Sequence, residues 1–323
     1  MAGTYLVTGG AGFIGSNLVL ALLKEGRRVR VLDNFATGFR ANLEEVLTDV
    51  ELIEGDIRDA DACAKACAGA DVVFHQAALA SVPRSMDDPR TSFHCNTVGT
   101  FNMLMAARDA GVRRFVFAAS SSAYGASPDL PKRETMPVLP LSPYAADKAC
   151  GETWAATFHR AFGLQTMCLR YFNIFGPRQD PTNQYAGVIA AFAAAMIRGR
   201  RPTIFGDGTQ SRDFTFVDNA VHANLLGAKV PETHGEVVNI GCGEAINLND
   251  MVGEFNKVLG ADFAPVYAPP RAGDVMHSLA DIQAARSLIG YQPEVRFAEG
   301  LRRTIEWYRW AIETGYGGWA NMR

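Results

Sequence analysis

The sequence predicts an α/β protein in which a doubly wound parallel sheet carries a smaller α/β domain. Three observations within its 323 residues lead there. Short apolar runs alternate with longer helical patterns through the first half. A glycine-rich turn joins the first run to the first helix. Beyond Tyr171 the alternation loosens into loops rich in Gly, Pro and Asp, broken by helices around Ala190 and Leu248.

The candidate strands are "TYLVTG", "RVRVLD", "VELIEGD", "DVVFHQAA", "RRFVFAASS" and "QTMCLRYFN", short apolar runs suited to a buried parallel sheet. Helices are expected between them, from near Ser16, Asp59, Asn96 and Ser142. The last is the best marked. Ser142 is an N-cap, Pro143 suits a first turn that needs no backbone N–H, and Gly163 supplies the stop. "SRDFTFVDNAVHANLLGA" and "EVVNIGC" are expected to return to the large sheet. The first domain is then 1–171 with 214–243, and the second is 172–213 with 244–323.

Between the first strand and its helix, "GGAGFIGSNLVLALL" spaces Gly9, Gly12 and Gly15 three apart. Glycines let the turn tighten and the backbone approach a pyrophosphate, while the helix N-terminus offers free N–H groups. The second strand ends in Asp33, whose carboxylate can accept from the adenine ribose hydroxyls and would repel the extra phosphate of NADP. A Rossmann-type domain with NAD as its cofactor is the expectation. Asp56 in "GDIRD" and the segment "HQAALAS" lie at later strand ends, where such a sheet holds its ligand. His75 itself reads as a packed, hydrogen-bonded histidine.

Other classes are disfavoured. A net charge of −3 gives no electrostatic reason to expect nucleic acid or an acidic membrane surface. "YAGVIAAFAAAMI" is too short and alanine-rich to span a bilayer and reads as a buried helix. The six cysteines show no disulfide framework, and Cys63 and Cys67 read as small core residues. The six histidines form no metal-binding cluster, so no metal is assigned. A strand-like opening leaves no room for a signal peptide, and a reducing cytoplasm is the expected setting. Arg198, Arg200 and Arg201 read as a solvated helix end.

Tyr144 and Lys148 lie four residues apart, on one face of the helix that Ser142 opens. A free phenol titrates near ~10 and is a poor base at neutral pH. A nearby ammonium, a helix N-terminus and a positive nicotinamide ring all favour the phenolate. In "AASSSAYG", Ser120, Ser121 and Ser122 are candidates for a polar group that steadies the hydroxyl being deprotonated.

With these features the chain resembles, over essentially its whole length, the extended short-chain dehydrogenases/reductases. Within them it is similar to the UDP-hexose 4-epimerases that accept N-acetylated sugars. The glycine turn, Tyr144, Lys148, "LRYFNIFGPRQDP", "GDGTQSRDFTFVDN" and "PRAGDVMHSLAD" carry the likeness. It implies a catalytic set of Tyr144, Lys148 and Ser120, the serine lying four residues before Tyr124 of a "YG" pair. Around NAD it implies Gly9, Gly12, Phe13, Ile14, Gly15, Asp33, Asn34, Asp56, Ile57, Gln76, Ala77, Ala78 and Tyr171, with Tyr144 and Lys148.

For the sugar nucleotide the resemblance implies Arg212 and Arg271 on the diphosphate, Asp274 at the uridine ribose and Asn173 at the diphosphate or sugar. Ser81, Ser120, Ser121, Ser122, Tyr144, Gln179 and Val188 complete that side. Ser278, seven residues after Arg271, falls where relatives restricted to plain hexoses carry a tyrosine, beside the sugar C2 substituent. Dehydratase relatives carry an Asp-Glu pair where this chain has Ser121 and Ser122, so dehydration is not expected. The implied reaction is 4-epimerisation through a 4-keto sugar, on UDP-N-acetylglucosamine and UDP-N-acetylgalactosamine, with UDP-glucose and UDP-galactose as secondary substrates. The alternatives are a 4-epimerase of UDP-glucuronate or a UDP-pentose, and a non-catalytic NAD-binding sensor or scaffold. The resemblance also implies a homodimer packed through the helix of "NTVGTFNMLMAARDAG" and the tyrosine helix.

Overall fold

Six of the apolar runs pair side by side in the computed structural model, which describes residues 3–180, 187–270 and 275–317. Strands β1 (Thr4–Thr8), β2 (Arg28–Asp33), β3 (Val50–Glu54), β4 (Ala70–His75), β5 (Arg114–Ser120) and β6 (Thr166–Tyr171) are joined at the edge by β7 (Glu236–Ile240). Among the described residues they form a seven-stranded parallel sheet ordered β7-β6-β5-β4-β1-β2-β3. This is the doubly wound Rossmann arrangement. One face, with Val7, Val31, Phe74, Val116 and Leu169, packs against α1 (Phe13–Lys24) and the later helix Val217–Lys229. The other face, with Leu6, Val73, Phe115, Phe117 and Cys168, is covered by α2 (Ala60–Cys67), by Gly99–Asp109 and by Pro143–Phe162. Strands buried on both faces are continuously apolar, which is why they stand out in the sequence.

Helix starts depart from the reading in two places. Helix α1 begins at Phe13 rather than Ser16, because Gly12 is its extended N-cap. Where one helix was expected from Asn96, the chain forms α3 (Val82–Asp87), α4 (Pro89–Phe93), a π-helical turn (His94–Val98) and then α5 (Gly99–Asp109). Asn96 sits in that turn with its side chain committed to the Leu79 backbone, accepting from the N–H at 2.8 Å and donating to the carbonyl. Helix α6 (Pro143–Phe162) matches its signals: Ser142 accepts from the Ala145 N–H, and Gly163 closes it at φ 73°.

The rest of the chain forms α7 (Val188–Met196), α8 (Val217–Lys229), α9 (Leu248–Leu259), α10 (Gln283–Ile289), α11 (Phe297–Thr314) and several two- and three-residue strands. Helix α7 is the buried segment expected from its apolar run, though Tyr185 and Ala186 lie outside the described residues. Arg200 and Arg201 are exposed, as expected, and Arg201 is also anchored by backbone carbonyls. Strand Thr203–Phe205 pairs with Val266–Ala268, which brings the carbonyls of Ala264 and Pro265 within 2.7 and 2.8 Å of its guanidinium. Among the described residues no helix is long and apolar enough to cross a membrane.

Helix α6 is fastened to β6 by a buried bidentate ion pair. Arg170 Nε and Nη2 donate to the two Glu152 oxygens, each at 2.7 Å, and the guanidinium lies 4.7 Å above the Tyr124 ring. Removing one partner strands the other charge in the core. Glu152→Gln is therefore expected to cost roughly 3–5 kcal/mol of unfolding free energy, read from denaturant titration by circular dichroism. A loss below about 1 kcal/mol, the level of an exposed pair, would show that the ion pair does not hold α6 in place.

Candidate active site

The glycine turn is crowded. Gly9 has φ +67°, and a Cβ there would lie 2.7 Å from the Ala77 backbone, while one at Gly15 would lie 2.1 Å from the Gly9 carbonyl oxygen. Only glycine lets α1 come up against the end of β1, and the approach leaves the first N–H groups of α1 facing the cleft above the sheet. Asp33 shapes the turn as well as rimming it. Its Oδ2 accepts from the Ala11 N–H at 2.9 Å and its Oδ1 from the Phe35 N–H at 2.8 Å, and burial raises its pKa. Asn34 donates to Asp56 at 2.7 Å, and hydrogen bonding from Arg58 pulls the Asp56 carboxyl down to about 2.

One cleft gathers every residue that the sequence placed around the cofactor, from Gly9 to Tyr171, together with Ser81 and Gln179. Its floor is closed by a triad. Tyr171 donates to Gln76 Oε1 at 3.2 Å, Asn224 donates to the Tyr171 oxygen at 2.7 Å, and Gln76 donates back to Asn224 Oδ1 at 2.9 Å. Asn224 was missed in the sequence, because only the return of α8 to the sheet brings it here. A cradle that admits no side chain, the opening of a helix and a buried carboxylate at the β2 end fit a dinucleotide.

At the other end of the cleft stand Tyr144 and Lys148. Lys148 is buried, donates to the Ala118 carbonyl at 2.8 Å and lies 5.0 Å above the Phe117 ring. Desolvation pulls its pKa down to about 8, opposed by the charges of Asp147 and Glu152. For Tyr144 the surrounding residues of the chain do not themselves lower the pKa. Burial pushes the phenol up, and a hydrogen bond with Ser120 only opposes it. Ser120 Oγ accepts from the Ser122 N–H at 3.2 Å and from Ser122 Oγ at 2.8 Å, at the head of the short turn Ser121–Tyr124. His75 is packed as expected, bonded to Thr8 at 2.7 Å and Thr100 at 3.0 Å. Burial and the Lys148 charge drive it down to about 3, so it is neutral at working pH.

The remaining predicted positions are spread over the smaller part. Strand Ser211–Arg212 runs between Ile246–Asn247 and His277–Ser278, with Ser278 directly beside Arg212. Arg212 donates to the carbonyls of Ser211 and Met276 at 2.9 and 3.0 Å. Asn173, at φ +39°, donates to the Asp213 carbonyl at 3.0 Å. The buried Asp213 carboxylate accepts three backbone N–H groups, from Cys242 and Gly243 after β7 and from Ala280. Val188 is partly buried at the start of α7 and packs against the core, next to Gly187 on the wall of the cleft. Arg271 and Asp274 lie outside the described residues. A second cavity, of about 730 Å³, was also missed. It is lined by Phe205, Gln210, Tyr267 and Met276, among others.

The fold and this cleft define a nucleotide-binding enzyme of the short-chain dehydrogenase/reductase type. Residues 5–241 match the family model of the NAD-dependent epimerase/dehydratase family, and the chain belongs to that family. Its cofactor is accordingly NAD. A UDP-glucose 4-epimerase of Mycolicibacterium smegmatis is 41% identical over 308 residues, covering 94% of this chain and 98% of that protein. The structure of a UDP-N-acetylglucosamine 4-epimerase from Methanobrevibacter ruminantium, in complex with UDP-N-acetylmuramic acid, superposes with a TM-score of 0.91 at 39% identity, covering 95% and 98% of the two chains. The Thermus thermophilus UDP-glucose 4-epimerase in complex with NAD gives 0.86 at 37% identity, covering 96% and 100%.

The Asp33 carboxylate sets an expectation for cofactor choice. At an effective dielectric of ~20, two like charges ~4 Å apart cost about 4 kcal/mol, so NADP should bind at least a hundredfold more weakly than NAD. Comparable affinities in isothermal titration would remove Asp33 from cofactor selection.

Proposed function

We propose that the chain is a UDP-sugar 4-epimerase whose preferred pair is UDP-N-acetylglucosamine and UDP-N-acetylgalactosamine. The observation that carries this reading is that Tyr144, bonded to Ser120 and one turn from Lys148, opens on the same cleft as the glycine turn. NAD, held by the glycine turn and the Asp33 end of the cleft, would supply a reversible hydride acceptor for the sugar C4. The residues of the chain do the rest. Tyr144 Oη takes the proton of the 4-hydroxyl and gives it back after the ring has turned over, Ser120 steadies that hydroxyl, and Lys148 favours the phenolate. No net oxidation results, and the enzyme is an isomerase.

The sugar nucleotide is assigned to residues 172–213 and 244–323, and the NAD domain to 1–171 with 214–243. Arg212 suits a diphosphate because its planar fork matches phosphate oxygens, and the apolar cavity between Phe205 and Tyr267 suits a base. Two copies of the chain pair through α5 and α6. Phe162 is exposed at the end of α6, and Phe101 of α5 meets Trp154 of α6 edge-on with ring centres 4.9 Å apart. Six free cysteines agree with a reducing, cytoplasmic setting.

Incubating the protein with a panel of UDP-sugars and resolving the epimers by chromatography tests the reaction. Tyr144→Phe is expected to lower turnover by at least ~10²-fold, the scale of general acid–base catalysis, while leaving the fold and NAD affinity in place. Near-normal turnover would remove Tyr144 from the mechanism.

Substrate choice rests on Ser278, a small residue beside Arg212. It leaves room for an acetamido group at the sugar C2. Ser278→Tyr should overfill that space by about 1–3 kcal/mol and slow the acetylated sugars selectively. Equal losses on acetylated and plain hexoses, or none, would show that specificity lies elsewhere in the pocket.

A further inference from the structure

Successive residues of α6, Asp147 and Lys148, are both buried and both charged, and among the described residues neither makes an ion pair. The Asp147 carboxylate instead accepts two neutral hydroxyls, Ser92 Oγ at 2.6 Å and Thr97 Oγ1 at 2.9 Å, from α4 and the π-helical turn. Lys148 rests on a carbonyl oxygen and an aromatic face. A buried charge with only neutral partners is costly. Two opposite ones on adjacent residues relieve each other through a low-dielectric interior.

The second carboxylate on this helix that favours the ammonium, Glu152, is already taken up by both forks of Arg170. The other groups facing the pair contribute little charge. His75 from β4 is neutral. Cys95 in the π-helical turn is a thiol raised further by burial. Tyr144 is a raised phenol. Arg84 on α3 and Arg90 on α4 are exposed to solvent. Arg108 of α5 lies at the far end of α6, against Phe162. The Ser121–Tyr124 turn brings no charged side chain.

We propose that Asp147 is a positioning residue for the reaction: it pins the N-terminal part of α6 to α4 and the turn at 94–98 and supplies the negative charge that keeps the buried Lys148 an ammonium. The proposal rests on the reading of Tyr144 and Lys148 given above. It predicts that the charge of Asp147, more than its shape, sets where Lys148 loses its proton.

The test is Asp147→Asn, which keeps one acceptor and the volume of the side chain but removes the charge. In protein labelled at its lysine side chains, the NMR titration of Lys148, assigned by its loss in Lys148→Met, should move down by about one pH unit, the shift an uncompensated opposite charge produces. The alkaline limb of the kcat profile should move down with it, while Asp147→Glu should restore both. Asp147→Ser, also neutral, gives the same reading if the carboxamide disturbs folding. An unchanged Lys148 titration in a folded neutral variant overturns the proposal, and so does a shifted titration with an unmoved alkaline limb. Normal turnover in Lys148→Met would sink instead the underlying assignment of Lys148, a failure distinguishable from the first two.

Discussion

The buried pair between Glu152 and Arg170 decides where α6 lies, and nearly everything at the site follows from that placement. With Arg170 near the C-terminal end of β6 and Glu152 one turn beyond Lys148, the bidentate contact fixes the helix against the sheet in both rotation and height. Tyr144 and Lys148 then face the end of β5, which itself presents Ser120 and the Ala118 carbonyl. The Arg170 guanidinium also stacks on Tyr124, whose hydroxyl donates to Asn239 of β7 at 2.7 Å. One ionic contact therefore ties the tyrosine helix, the serine turn and the returning edge strand together.

The electrostatic character of the site is set by burial more than by proximity. Lysine, tyrosine and histidine are all out of water here, so each is driven toward its neutral form. By themselves, the residues of the chain keep Tyr144 a phenol. Lys148 holds its charge only within reach of carboxylates, and His75 is an uncharged spacer between two hydroxyls.

What could be read in the sequence and what could not divide along physical lines. The sheet was legible because parallel strands buried on both faces are unbroken apolar runs, and α6 because a cap, a proline and a glycine mark its ends within a few residues. The glycine turn and Asp33 carried the cofactor end of the cleft through local spacing. Contacts between distant segments left no such trace. Asn224 reaches Tyr171 from 53 residues away, and Asp147 finds Ser92 and Thr97 at separations of 55 and 50. The π-helical turn that replaces a regular start at Asn96 is likewise a tertiary product, drawn out by the two bonds between Asn96 and Leu79. Spacing placed a lysine and a tyrosine on one cleft, but it carried no measure of the burial that raises the phenol.

Asp213 bears on how the molecule can move. Its three amide donors come from two stretches of chain, one leaving the last strand of the large sheet and one running on from the strand beside Arg212, while its own carbonyl holds Asn173. The knot joins the large sheet to the strands that present Arg212 and Ser278, so these cannot swing away like the jaw of a clamp without stripping a carboxylate of its donors. Admitting and releasing a bulky ligand must then be the work of side chains and of segments outside the knot.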